Sequence, residues 1–255
     1  MTDLVSIITP SYNTARFIGE TIRSVQAQTY TNWEMIIVDD CSTDNTDEVV
    51  SQFQKEDSRI RYFKNDHNSG AAVSRNKALR EARGRWIAFL DSDDLWYPEK
   101  LEKQIRFMEE KGCHFSCSYR TMIDEDSNDL NILTTSPRHI TKFGMYNYCW
   151  VGCLTAMYDA DVTGVIQIAD IKKNNDYAIW LKVIEKADCY CFPEILAKYR
   201  VRSGSISRHK KTELIKWHYR LFHDAEGQNA VVASFNMVRN LFFGVIKKLF
   251  YVKSI

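Results

Sequence analysis

A chain of 255 residues has room for one large globular domain with a small appendage, which excludes a long array of domains. Hydrophobic residues at 45%, charged residues at 26% and only 4 Pro and 10 Gly exclude a disordered, linker-rich or collagen-like protein. With 34 Lys+Arg against 33 Asp+Glu there is no overall basic field to hold a polyanion by counterion release, so no nucleic-acid partner is expected.

The start, Met1-Thr2-Asp3-Leu4, runs straight into an apolar strand without the cationic flank, apolar stretch and small-residue cleavage site of a signal peptide, and the expected location is cytoplasmic. The 7 Cys include no CxxC pair. Cys113/Cys117, Cys149/Cys153 and Cys189/Cys191 are close enough to suggest zinc, but each lies among apolar or aromatic residues, which favours reduced, mostly buried thiols.

Short apolar runs alternate with helical patterns through the first half, the signature of βαβ units and a mainly parallel sheet. Val5 to Thr9 is continuous and β-branched, as a strand covered on both faces requires, and Pro10 stops it. Phe17, Ile18, Ile22 and Val25 recur at helical spacing, and Trp33 to Val38 forms a second strand. Asp44 is the expected N-cap of a helix carrying Val49, Val50 and Phe53. Ile60 to Phe63 is a third strand; Ala72, Arg75, Ala78, Leu79 and Ala82 then follow a helix that Gly84 ends. Trp86 to Leu90 is a fourth strand, Pro98 suits a first helical position, and Leu101, Ile105 and Met108 line a helix closed by Gly112. Phe115 to Tyr119 is a fifth strand. From about Arg120 to Ala160 periodicity fades into short strands and loops. Ile179, Val183 and Ala187 make a helix after Asp176, strands at Cys189 to Phe192 and Ile195 to Val201 flank Pro193, and the stretch from about Thr212 to Val252 is helical and aromatic-rich.

Four polar clusters fall at the ends of the expected parallel strands: Thr9-Pro10-Ser11-Tyr12-Asn13, Asp39-Asp40-Cys41-Ser42, Asn68-Ser69-Gly70 with Arg75, and Asp91-Ser92-Asp93-Asp94. Open α/β sheets bind ligands outside the carboxyl ends of their strands, so the clusters should converge on one crevice. Asp91 and Asp93 would hold two carboxylates close together. They repel unless a cation intervenes, and hard oxygen ligands suit Mg²⁺ or Mn²⁺ bridging to a substrate diphosphate. The competing reading of an isolated DxD is a solvated acidic turn that caps the helix at Pro98.

In six ordered motifs the chain resembles the family 2 inverting glycosyltransferases, which have the GT-A fold. These are SIITPSYN (6–13), IIVDDCSTD (36–44), NSGAAVSRN (68–76), AFLDSDDLWYPEKL (88–101), NDYAIWLKV (175–183) and YRVRSGSIS (199–207). The resemblance covers roughly residues 3 to 208. It implies a Rossmann-like, mainly parallel sheet with flanking helices, extended by a helical C-terminal segment. The GT-A domain would span 1–208, divided into a nucleotide-sugar-binding part (1–119) and an acceptor-side part (120–208), and the helical extension would occupy 209–255.

Carried over residue by residue, the resemblance implies that Thr9 and Pro10 lie beside the base, that Asp40 accepts a hydrogen bond from it with Asp39 adjoining, and that Arg75 lies near the nucleotide. Asp91 would face the ribose or sugar, with Ser92 among the nucleotide-sugar contacts. Asp93 would ligate a divalent Mn²⁺ or Mg²⁺, and Asp176 would be the catalytic base. A carboxylate can accept from a base N–H and a guanidinium offers planar donors to an anion. Two positions depart from the family's usual pattern: Asn175 stands where an acidic residue often precedes the base, and Arg202 where His is common. Arg cannot ligate a metal, so Arg202, with Arg200, is expected to contact the nucleotide-sugar phosphates, against the alternative of a solvated strand edge. For Asp176 the competing role is a helix N-cap. Trp180 suits core packing better than stacking on a sugar.

The resemblance thus implies an enzyme of polysaccharide biosynthesis that moves a sugar from a nucleotide-diphosphate donor, most often uridine-linked, to a hydroxyl of a glycan or lipid-linked acceptor. The competing function is a non-catalytic nucleotide-sugar-binding protein. A metal-dependent phosphohydrolase would carry its DxD after the first strand, which here ends in TPSYN. In the tail, Phe235, Val238, Leu241, Phe242, Val245, Ile246 and Leu249 lie opposite Asn236, Asn240, Gly244, Lys247 and Lys248, and Arg239 with the two lysines interrupts any uniformly apolar span. Two readings remain for this helix: peripheral contact with the inner face of a membrane, or docking on the domain or in a dimer.

Overall fold

In the computed structural model, which describes residues 3–202 and 211–255, the alternation of the first half becomes a layered α/β sheet. Strand β1 (Val5–Ser11) leads to helix α1 (Ile18–Gln26), β2 (Trp33–Asp39) to α2 (Thr46–Glu56), and β3 (Ile60–Lys64) to α3 (Ala71–Glu81), before β4 (Trp86–Phe89). These four strands lie parallel in the order β4-β1-β2-β3. Because side chains alternate along a strand, Val5, Ile7, Trp33, Met35 and Ile37 pack into one core with Ile18, Ile22, Val25 and Val50, while Ile8, Ile36 and Val38 pack into the other with Ala78 and Leu79. Both faces are thereby covered, which explains why β1 and β2 are buried along their whole length.

Beyond β4 the pattern changes. A two-residue strand β5 (Leu95–Trp96) precedes α4 (Lys100–Lys111), whose last turn closes on Gly112 at φ 65. The expected fifth strand runs on to Ile123 as β6 (Phe115–Ile123), followed by β7 (Asp129–Thr134), β8 (His139–Ile140), α5 (Lys142–Asn147), β9 (Met157–Asp159), α6 (Ala160–Thr163) and α7 (Asn175–Val183). Strand β9 pairs antiparallel with both β4 and β6, so it joins the parallel part to the rest of the sheet. The two strands expected around Pro193 form one, β10 (Cys189–Arg200), parallel to β6. Its register shifts between Phe192 and Ala197, so the proline, which has no N–H to donate, sits in the irregular stretch.

After residues 203–210, which lie outside the described residues and include part of the YRVRSGSIS motif, α8 (Lys211–Arg220) leads to α9 (Ala230–Phe250) and β11 (Val252–Ser254). The chain end returns to the sheet, where β11 pairs with β7. Trp180 lies in the core, its ring edge-on to Phe89 at 5.0 Å. All seven cysteines are free thiols, five of them buried.

Candidate active site

Parallel strands deliver their carboxyl ends to one edge, where the loops after β1, β2, β3 and β4 meet. Backbone bonds lock them together: Asp40 N–H donates to the Ser11 carbonyl at 2.8 Å and Asn65 N–H to that of Asp39 at 2.8 Å. The first two loops bend through Asn13 (φ 51) and Cys41 (φ 67), left-handed conformations that non-glycine residues adopt at some cost. Side chains hold the bends. Asn13 Oδ1 accepts from Thr43 N–H at 2.8 Å, and Ser42 Oγ accepts from Asn13 N–H at 2.9 Å.

Thr9 and Pro10 are both buried within β1, and Thr9 Oγ1 has no hydrogen-bond partner among the described residues. Asp39, fully buried, accepts from Ser42 N–H at 3.0 Å, Ser42 Oγ at 2.5 Å and the Tyr62 hydroxyl at 2.8 Å, and so builds the loop. Asp40 accepts from Asn65 Nδ2 at 2.9 Å, Ser69 N–H at 2.8 Å and Gly70 N–H at 2.7 Å. Gly70, at φ 90, turns the chain into α3 so that two successive amides face this carboxylate. A carboxylate has about four lone-pair positions, so three donors leave Asp40 one for a ligand.

Arg75 joins the two sides of the crevice. Nη2 donates to Asp91 Oδ1 at 2.5 Å, and Nη1 donates to Asn175 Oδ1 at the start of α7. Burial opposes its charge, but Asp91, Cys153 and then Asp176 outweigh burial and raise the Arg75 pKa further above its already high value. Asp176, the second residue of α7, follows Asn175; the N-cap is Asn174, and among the described residues the Asp176 carboxylate accepts only the adjoining Tyr177 N–H, at 2.9 Å. Cys153 Sγ lies 4.0 Å from Asp91 Oδ1, its thiol held protonated by burial and then by the Asp91 charge. Cys149 is raised likewise, by burial and then by Asp176. The strand-end cluster and α7 therefore face one another across a polar interior.

The acidic turn is sharply differentiated. Asp94 is buried and accepts from the Arg200 N–H at 2.8 Å, and burial followed by the charges of Asp93 and Asp91 raises its pKa well above the carboxylate range. Ser92 is buried beside it. Asp93 Oδ2 pairs with Arg202 Nε at 2.8 Å; burial, reinforced by Asp91 and opposed by Arg202, lifts its pKa to about 6. Carboxylates so placed gain from a hard cation, and Asp93 with Asp91 suits Mg²⁺ or Mn²⁺ chemically. Among the described residues no three His, Cys, Asp or Glu side chains form a ready cage.

Arg200 requires a correction. It was expected to reach the nucleotide-sugar, but its side chain is fully buried. Nε donates to the Asp93 carbonyl (2.7 Å), Nη1 to Ser127 Oγ (2.8 Å) and Nη2 to Glu20 Oε2 (2.8 Å). It ties β10 to the acidic turn, while Arg202, 27% exposed, is the arginine at the surface. Asp44 is also shifted from its expected role. Asn45 is the N-cap of α2, and the Asp44 carboxylate instead accepts from Thr46 N–H (3.1 Å), Thr46 Oγ1 (2.6 Å) and Ala15 N–H (3.1 Å), fastening the first loop to that helix. Sequence reasoning missed the bridging role of Asn175, whose only signal was its place before Asp176. It also missed Asn65, which belongs to no periodic pattern, and it read Cys149 and Cys153 as thiols among apolar residues without placing them beside Asp91 and Asp176.

A parallel α/β sheet with an acidic DxD turn at one strand end and a carboxylate-bearing helix opposite defines a sugar-nucleotide transferase of the GT-A class. The structure of S. aureus TarS in complex with UDP-GlcNAc shares the fold, with a TM-score of 0.73 at 19% identity over 94% of this chain and 72% of that one. Residues 6–169 match the family model for glycosyl transferase family 2, and the chain belongs to that family. It is 46% identical over 208 residues to a putative teichuronic acid biosynthesis glycosyltransferase of Bacillus subtilis, covering 81% of this chain and 82% of the relative. A UDP-Glc:alpha-D-GlcNAc-diphosphoundecaprenol beta-1,3-glucosyltransferase of Escherichia coli is 39% identical over 213 residues, covering 83% and 82%. The protein is a glycosyltransferase.

Proposed function

We propose that this enzyme transfers a sugar from a UDP-linked donor to a hydroxyl of a lipid-linked glycan acceptor, with inversion at the anomeric carbon. The observation that carries the reading is the Arg75 bridge, which fixes the Asp91 strand end to the start of the helix bearing Asp176. An inverting displacement needs a nucleophile activated on the face opposite the leaving diphosphate, and a carboxylate on the first turn of a packed helix is held rigidly enough to serve. In this reading Asp176 takes the proton of the acceptor hydroxyl as its oxygen bonds to the anomeric carbon and the bond to the nucleotide diphosphate breaks.

On the donor side, Asp40 uses its remaining lone pair for a base N–H, beside Thr9, Pro10 and the loop held by Asp39. Asp91 and Ser92 face the donor sugar or ribose, and Arg75 orients Asp91. Asp93 would hold a divalent metal, which when bound neutralises charge on the donor diphosphate. Arg202, released from Asp93, becomes a phosphate contact, and Arg200 keeps the turn in place. The UDP-GlcNAc complex of TarS and the UDP-Glc donor of the E. coli relative support uridine, and that relative's diphosphoundecaprenol acceptor supports a lipid carrier.

Helix α9 fits such an acceptor. It is long and apolar enough to cross a membrane by length and composition, yet it buries Asn236 and Asn240 against the domain and leaves Val231, Phe235, Val238, Phe242, Val245 and Leu249 between 58% and 80% exposed. Polar residues inside and apolar ones outside suit a helix lying in a lipid interface, on the inner face of the membrane. The test is a panel of nucleotide sugars with Mn²⁺ or Mg²⁺, scored by thermal stabilisation and then by transfer to a lipid-linked acceptor, with the product anomer assigned by NMR. Stabilisation by a UDP-sugar and an inverted product support the reading; a retained anomeric configuration overturns it.

A further inference from the structure

The buried and half-buried arginines around the crevice are matched with acids: Arg75 with Asp91, Arg200 with Glu20 and Arg202 with Asp93. Arg120 and Lys247 depart from this pattern. Among the described residues neither Arg120, on β6, nor Lys247, on α9, has a carboxylate within ion-pairing distance. The Arg120 Nη1 lies against Gly152, where an added Cβ would come within 1.5 Å of it, so glycine alone leaves it that space. Its Nε is buried with no hydrogen-bond partner among the described residues, and its Cζ lies 5.4 Å from the Tyr199 ring centre. Lys247 turns inward from the otherwise apolar helix to donate to the Cys149 carbonyl at 3.3 Å, with Nζ 4.8 Å from the Tyr148 ring centre.

The two charges oppose one another. Burial and then Arg120 push the Lys247 pKa down to about 8, and both cations act on Cys149, which also feels Asp176. Two half-buried cations that make no ion pair, and that Asp94 and Asp176 reach only at longer range, gain from a ligand that brings anionic charge into contact, and a diphosphate offers two negative charges and an array of acceptor oxygens for a guanidinium and an ammonium. We propose that Arg120 and Lys247 form a second anion site, separate from the donor's, which binds the diphosphate joining a lipid-linked acceptor to its carrier. This rests on Asp176 being the base of the proposed reaction, because Lys247 lies within reach of the Asp176 charge and so on the acceptor side of it. Helix α9 would then read both ends of one acceptor, the diphosphate through Lys247 and the lipid along its outward face.

A diphosphate could also come from the donor, and calorimetry separates the sources. Inorganic pyrophosphate is titrated into UDP-saturated protein in metal-free buffer, using wild type, Arg120→Gln, Lys247→Met, Lys247→Arg and the Arg120→Gln/Lys247→Met double variant. Binding should persist under UDP, weaken at least about 10-fold in each charge-removing variant and recover in Lys247→Arg. Unchanged binding in a double variant of wild-type melting temperature overturns the site, as does complete competition by UDP. Gly152→Ala, which displaces Arg120 without removing it, should weaken binding too. Kinetics then use GlcNAc-diphosphate on a phenoxyundecyl chain and the same sugar and chain without the diphosphate. Lys247→Met should raise KM at least about 10-fold for the first acceptor alone, with kcat and donor affinity held. An equal rise for both acceptors counts against the site. Calorimetry needs no turnover, so failure of both acceptors to react would count against the proposed reaction while leaving the anion site to be decided by binding.

Discussion

The two halves of the crevice are built by different means. On the proposed donor side, four parallel strands end at one edge and short loops lock together through Asp39, Asp40 and Asn65, so each polar residue is placed by its distance from the end of a strand. On the proposed acceptor side, antiparallel strands, an aperiodic stretch and a helix from the chain's far end converge, and Cys149, Arg120 and Lys247 come together from segments remote in sequence. Regular architecture suits a constant task, binding a nucleotide diphosphate. Assembled loops suit a variable one, choosing an acceptor.

The comparison breaks first at Asp176, the one acceptor-side residue given a chemical step. Asp176→Asn should keep the hydrogen bond to Tyr177 N–H and the Asn174 cap, and so keep melting temperature and donor affinity near wild type. Turnover should fall at least about 100-fold, the low end for a positioned general base. Single-turnover kinetics with a competent acceptor check this; turnover within a few-fold of wild type would leave the base unassigned.

Asp93 tests the donor side. Replacing it by Asn removes a buried charge that burial already disfavours, so the fold should not weaken, while turnover should drop about 10- to 100-fold, the scale of a lost charge-assisted contact. Titration with Mn²⁺ should show a right-shifted or absent activation. Wild-type metal dependence would move the ligand elsewhere.

A smaller effect is expected at the outer face of α9. Phe235→Ser with Phe242→Ser should reduce sedimentation with anionic liposomes at least about 10-fold, since burying each aromatic contributes roughly 1.5–3 kcal/mol. Equal pelleting of both proteins, with a concentration-dependent dimer in the wild type alone, would assign the stripe to a second copy of the chain.

The same contrast explains what the sequence made legible. Val5 to Thr9 and Trp33 to Val38 announce strands because both faces are buried, and their polar ends then follow by position. Pro193 suggested a break where β10 merely shifts register, since a missing N–H can be absorbed by an irregular pairing. Arg200 could not be told from Arg202 because the two are separated by one residue and differ only in which neighbours surround them. The tail's pattern groups Lys247 with Asn240 opposite the apolar residues, but which of the two faces docks on the domain is fixed by tertiary contacts and not by composition.

The opposite edge of the parallel sheet supplies the mildest and most discriminating test. There Glu34, buried on β2, accepts from Ser6 Oγ at 2.7 Å, Arg83 N–H at 2.8 Å and Arg61 Nη1 at 2.8 Å, joining β1, β2, β3 and the turn before β4. It lies at the amino ends of the strands, away from the crevice, so its bonds hold the sheet and touch no substrate. Glu34→Gln replaces one acceptor oxygen with an amide that faces donors, which should cost about 1–3 kcal/mol of stability, the penalty for an unsatisfied buried group. Chemical denaturation measures that loss, and kcat/KM at a temperature where the variant is fully folded should stay within about 2-fold of wild type, as expected for a substitution remote from the reacting groups. If activity fell while the fold held, the amino-terminal edge would have to be coupled to the crevice through the strands, and the division between a structural edge and a chemical edge would fail.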